Sequence, residues 1–271
     1  MTTHTLPTPV HRPSNTGSLP DLNPTDAQPR QLTKKGILAV WAAAALPMGL
    51  LMWLVGPILS HHMRGPQALT RALIFSLTVG LVWQFVLVMA MVAREQHTLR
   101  WSTLRSVLWL RKPRSPRTGR VGGRVWLVII PLLVGVAAEE FIPALPHPAK
   151  FDLATILQST TGQHFLIGSW LWCAVLVAMF VFNTVLGEEL LFRGYLLPRM
   201  NDAFGERDWV ANGVLFAAYH IHRPWRIPGA LFDTFIVSYS SKRYRSALIG
   251  IAVHSAQTVM FTAVALSIVM K

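Results

Sequence analysis

The sequence predicts an all-α, polytopic integral membrane protein with about six to eight transmembrane or re-entrant helices. Three observations predict it. Of 271 residues, 52% are hydrophobic and only 14% charged, whereas soluble domains carry about a quarter charged residues. The charge is gathered into short segments with long apolar runs between them. The formal net charge of +13 is concentrated too, with nine Lys and Arg residues from Arg94 to Arg124 joining two apolar runs. That placement fits a cytoplasmic loop facing anionic inner-leaflet lipids, not a nucleic-acid surface. The single cysteine, Cys173, lies inside an apolar run. It excludes an internal disulfide and a zinc-ribbon spacing, and reads as a small buried hydrophobe.

Residues 1–35 are rich in Pro, Thr and Ser, lack apolar periodicity, and are expected to form a disordered cytoplasmic tail. The first apolar run begins only at Gly36 and is too long for a cleaved signal. Residues 36–162 hold the N-terminal membrane spans. Gly36–Ser60 and Ala72–Ala93 each suffice for a hydrocarbon core of about 30 Å, with His61–Arg71 as the external loop. Within the basic loop, 94–124, the stretch "LRWSTLRSVLWLR" has apolar residues at helical spacing. It reads either as an amphipathic helix on the inner leaflet or as a plain connector. Val125–Pro143 is a third span, and its Glu139–Glu140 pair is expected at the outer interface, because Pro143 and Pro146 end the helix.

Residues 163–271 form the second half. His164–Gly187 is the fourth span, and Phe165–Gly187 contains 23 residues without Asp, Glu, Lys, Arg or His. Trp209–Tyr219 and Ile227–Tyr239 are each too short to cross alone. Joined by "HIHRPWRIP", they form a hairpin entering from the cytoplasm or two spans extended by that joint. Ala247–Met270 is the last span. Arg193, Arg199, Arg207 and the cluster Lys242–Arg245 mark cytoplasmic ends. The expected location is the plasma membrane of a bacterial cell, multi-pass, with a cytoplasmic N-terminus.

Charge inside a membrane is costly, about 2.5–3.5 kcal/mol for a helix-centre Asp or Arg on insertion scales, so such residues are functional candidates. Glu188 lies 11 residues before Arg199, His220 lies 12 after Asp208, and His254 lies 9 after Arg245. At the helical rise these are all roughly 13–18 Å from the inner boundary. Three segments thus bring acid or imidazole to one depth, as one polar chamber open to the cytoplasm would require. Glu189 and Arg193, at i,i+4, share a face and pair, while Glu188 is turned about 100° away and left for water. Phe216 and His220 share a face, as do His254 and Thr258, with Gln257 nearby. His222 and Arg223 read as structural or interfacial. Asp233 calls for an arginine partner that the sequence does not name.

These residues resemble a known family. "EELLFRG" is similar to the E-E-x-x-x-R motif of the CAAX-protease and bacteriocin-processing intramembrane proteases, "FAAYH" to F-x-x-x-H, and "HSAQT" to H-x-x-x-N, in the same order. The resemblance covers about residues 165–270 and makes 163–271 a catalytic membrane core. It implies a glutamate-dependent endopeptidase acting on a membrane-anchored peptide or protein, a prenylated CAAX segment in the best-known branch. By position it implies Glu188 as general base, His220 as the water-positioning group, and His254 with residue 258 as oxyanion stabilisers. Glu189 and Arg193 are supporting members. The departure is Thr258 in place of Asn, for which Gln257 can substitute as a donor. No cofactor is required on this reading. The alternative is a zinc site built from Glu188, His220 and His254, although no H-E-x-x-H is present. Two other functions stay open, a non-catalytic immunity or adaptor protein on the same scaffold and a small-solute or proton transporter, the latter without an internal repeat.

Overall fold

The structure is a computed structural model and describes residues 29–65 and 67–271. Among the described residues the regular structure is helical, apart from one isolated bridge between Arg114 and Val121. Short single turns aside, the helices in chain order are α1 Lys34–His62, α2 Ala68–Gln96, α3 Trp101–Val107, α4 Gly123–Ala137, α5 Leu153–Gln158, α6 Thr160–Leu166, α7 Trp170–Arg199, α8 Asp208–Tyr219, α9 Ile227–Tyr244 and α10 Ala247–Val269. Four of them, α1, α2, α7 and α10, are long and apolar enough to cross a bilayer. Exposed Leu46, Phe75, Val134, Leu171 and Val259 lie on the outside of the bundle, as expected where hydrocarbon is the solvent.

The spans run up and down between a basic end and an opposite end. The basic end carries the start of α1, the segment 97–122 and the turn between α9 and α10. A buried arginine organises it. Arg199 donates to Glu95 (Nε to Oε2, 3.0 Å) and to the carbonyls of Val107 and Tyr195, and its guanidinium stacks 4.0 Å from the Tyr195 ring centroid. The chain before α1 joins the same cluster, since Arg30 N–H donates to Glu95 and Leu32 N–H to the Arg199 carbonyl.

Several elements depart from the sequence reading for identifiable reasons. Of the segment expected to be disordered, residues 1–28 lie outside those described; residues 29–33 are tied to the Arg199 cluster, and α1 starts at Lys34 with Thr33 as its N-cap. The fourth span is shifted. His164 belongs to the separate short helix α6, Gly168 at positive φ breaks the chain, and α7 continues through the charged "EELLFRGY" to Arg199. Charge ends a span only where it must reach water; here it is paired inside the protein. The stretch around α3 is not a surface amphipath along its whole length. Only seven residues are helical, and Val107 and Leu108 are fully buried.

α8 and α9 form the expected hairpin, entering from the basic end. Its tip, 220–226, stops short of the opposite end and sits level with Trp53, whose indole N–H donates to the Ile221 carbonyl at 2.9 Å. Segment 142–152 fills the space beyond the tip. Leu145 N–H donates to the Trp225 carbonyl, the His147 ring stacks on Trp225 at 4.8 Å, and Phe151 packs on Trp53 at 5.2 Å.

The Arg199 cluster yields a stability test. Glu95→Ala would leave a fully buried guanidinium without its carboxylate, which typically costs 3–5 kcal/mol. The expected outcome is a clearly lowered thermal unfolding midpoint in detergent, with Glu95→Gln lying between this variant and the wild type.

Candidate active site

Glu188 and Glu189 sit between two wide π-helical turns of α7, Phe182–Gly187 and Leu190–Leu196. Such turns are uncommon and recur at functional sites. Both carboxylates and Arg193 are 1% exposed. The pairing expected from i,i+4 spacing is present, with Arg193 Nη1 3.1 Å from Glu189 Oε1, a charge contact not aligned as a hydrogen bond. The other guanidinium nitrogen, Nη2, lies 3.3 Å from Thr234 Oγ1 of α9, and the guanidinium lies 4.1 Å over the Phe216 ring of α8. His254 of α10 brings Nδ1 to 3.1 Å from the same Glu189 oxygen. Glu189 Oε2 faces Gly250, where an added Cβ would collide with it. The second acid of the pair therefore binds α7 to α10, and through Arg193 to α8 and α9.

Glu188 takes no part in that lock. Its Oε1 is buried and has no hydrogen-bond partner among the described residues. Near it stands Tyr219, whose hydroxyl accepts from Gln84 Nε2 at 2.6 Å. His220 follows directly. Its Nδ1 is 2.9 Å from the Phe216 carbonyl. A carbonyl only accepts, so Nδ1 carries the proton and neutral His220 presents Nε2 as an acceptor. Phe216 also meets the rings of His220 and His254, at 4.9 and 6.4 Å. Glu188, Glu189, Arg193, His220 and His254 thus form one cluster.

Thr258 stands one turn further along α10. Its Oγ1 is 2.6 Å from Thr184 Oγ1 and 3.1 Å from the Phe180 carbonyl, which Thr184 Oγ1 also approaches at 3.2 Å. Two hydroxyls own two protons. One serves the contact between them and the other the carbonyl, so neither is left over for a ligand. Thr258 here joins α10 to α7.

A cavity of about 110 Å³ lies next to the cluster. Leu77, Leu81 and Met179 wall it, with Asn183, Thr184, Gln257, Thr258, His222 and Arg223 as its polar rim. Phe151 and α5 close it on the side away from the basic end. The expected chamber mouth at the basic end is therefore not where the open space lies. Side chains on a helix tilt toward its N-terminus. The N-terminus of α7 is at the opposite end, and Glu188 lies one turn beyond the cavity-lining Thr184, while Glu188, His220 and His254 are not themselves among the residues that line the cavity. α10 runs the other way, so His254 leans back toward Glu189.

Sequence reasoning passed over three features. Tyr219 and Gln84 are coupled across 135 positions, and no local spacing announces that. Arg223, treated as interfacial, is the one Lys or Arg lining the cavity and makes no ion pair among the described residues. Glu139 is not at an outer interface. It is 6% exposed, accepts from Arg226 at 2.7 Å, and approaches the hairpin where Gly229 has no Cβ to block it. Asp233 shares that neighbourhood, between Glu139 and Arg226. The Glu140 side chain lies outside what is described.

Residues 169–260 match the family described as type II CAAX prenyl endopeptidase Rce1-like. Over this stretch the membrane core is similar to the CAAX-protease family. The match contains Glu188, Glu189, Arg193, His220, His254 and Thr258, and stops short of the N-terminal spans. No curated protein and no solved structure matches the chain. Among the described residues no three His, Cys, Asp or Glu groups stand where a metal ion could be held, as the zinc alternative would require.

The lock around Glu189 has a testable energetic signature. Glu189→Ala would strand the buried Arg193 charge and cost about 3–5 kcal/mol. The double variant Glu189→Ala/Arg193→Met removes both charges and is expected to recover much of that loss in thermal unfolding.

Proposed function

We propose that the chain is an intramembrane endopeptidase of the CAAX type, in which Glu188 activates the attacking water. One observation carries this reading: the buried Glu188 Oε1 has no hydrogen-bond partner among the described residues and belongs to a residue one turn from the Thr184 rim of a cavity. Buried polar atoms in folded proteins are nearly always paired, so an unpaired one calls for a functional explanation.

The residues divide the work as follows. Glu188 Oε1, without a hydrogen-bond partner among the described residues, takes a proton from water. His220 Nε2 accepts the second water hydrogen and so orients the attacking lone pair. As oxygen attacks the scissile carbonyl carbon, negative charge gathers on the carbonyl oxygen. His254, held against Glu189, supplies charge complementarity there, and the Gln257 amide on the cavity rim supplies a donor that Thr258 cannot spare. Glu188 then returns its proton to the departing amine. Arg223 meets an anionic group of the substrate, such as a free terminal carboxylate. The substrate is a membrane-anchored peptide or protein that enters from the bilayer. We assign the basic end to the cytoplasm, because Lys and Arg accumulate there.

Glu188→Gln preserves shape and removes the base. Membrane peptide profiles of cells carrying this variant should lose products that the wild type makes, while the purified variant keeps the wild-type melting midpoint. Unchanged profiles would sink the protease reading and favour the adaptor alternative.

The assignment of Gln257 makes a separate prediction. Removing one oxyanion donor typically costs about 10²–10³ in rate. Gln257→Ala should therefore lower kcat by that order, and Thr258→Val should lower it far less. The reverse ranking would return the donor role to position 258.

A further inference from the structure

The basic end carries a second feature that the proteolytic reading does not use. The segment after α3 folds into a built turn. Ser115 N–H donates to the Arg120 carbonyl at 2.8 Å, Gly119 N–H to the Ser115 carbonyl at 2.9 Å, and Gly119 adopts a positive φ. The turn is fastened to the α9–α10 corner, where Arg114 N–H donates to the Tyr244 carbonyl at 3.0 Å and Arg111 Nε to the Arg245 carbonyl at 3.2 Å. Between turn and corner run two grooves of about 480 and 460 Å³ that share Ser115, Pro116 and Arg243.

The two grooves differ in chemistry. One is lined by Arg114, Arg243 and Arg245, and the other adds Arg117. None of these four arginines forms an ion pair among the described residues. Lys242, at the same corner, is already paired with Asp208. The groove containing Arg117 continues onto Val128, Leu132 and Tyr239, in the crevice between α4 and α9. A cationic recess continuous with an apolar crevice between two helices suits a ligand with an anionic phosphate at one end and a hydrocarbon chain at the other. Arginine forks match phosphate oxygens in geometry and charge.

We propose that this groove is a discrete binding site for one anionic phospholipid, with its phosphate against Arg114, Arg117, Arg243 and Arg245 and an acyl chain along Val128 and Leu132. The site is independent of Glu188 chemistry.

The test uses the full chain in detergent and native mass spectrometry with long-chain phosphatidylglycerol, phosphatidylcholine or inorganic phosphate. One phosphatidylglycerol should bind saturably and in preference to phosphatidylcholine. Arg117→Gln/Arg243→Gln, two exposed positions, should weaken that binding about tenfold, as losing hydrogen bonds to a charged group does, without changing the melting midpoint of the lipid-free protein. Equal retention of both lipids, or unaltered binding by the double variant, would mean annular lipid only and overturn the proposal. Displacement of the lipid by inorganic phosphate at comparable concentration would overturn it in favour of a soluble phosphate site.

Discussion

The membrane core depends on one buried ion pair, Glu189 with Arg193. Neither group reaches water, and each is held from several sides. Arg193 touches Glu189 on α7, Thr234 on α9 and the face of Phe216 on α8, while Glu189 reaches His254 on α10. A charge in hydrocarbon is tolerable only when its partner is fixed, because the desolvation cost is met by close pairing or not at all. Four helices are therefore constrained to converge at one depth. The convergence sets the position of the free acid next door. Glu188 is the neighbour of a residue that cannot move.

The re-entrant hairpin follows from the same requirement. α8 and α9 bring Phe216, His220 and Thr234 to the pair from the basic end, and they need only half the bilayer to do so. Their tip then leaves unsatisfied backbone at membrane depth, which survives only where protein covers it. Trp53 takes up the Ile221 carbonyl, and Leu145 takes up that of Trp225. The segment 142–152 is thus part of the solution to a hydrogen-bonding problem, and in solving it the chain also closes the cavity on that side.

Much of this was legible in the sequence where the rule was local or metric. Helical rise placed Glu188, His220 and His254 at a common depth, and i,i+4 spacing paired Glu189 with Arg193. The motif order pointed to the family. Pairings between distant segments were not legible. Glu139 finds Arg226, Tyr219 finds Gln84, and Arg199 finds Glu95 across 87, 135 and 104 positions. No periodicity encodes such partners. The fourth span was misplaced for a related reason. Counting charge as the end of a helix assumes that charge seeks water, and in α7 it seeks another residue. The direction of the cavity was missed because it depends on what segment 142–166 covers, and that segment carries no apolar period of its own.

Helix rotation accounts for the last asymmetry of the site. Glu188 and Glu189 are neighbours on α7 and share its tilt toward the helix N-terminus, so direction along the helix does not separate them. The step of about 100° between successive residues does. It carries Glu189 to His254 of α10 and to Arg193 one turn on, and keeps Glu188 out of both contacts. The same step leaves Glu188 Oε1 buried without a hydrogen-bond partner among the described residues.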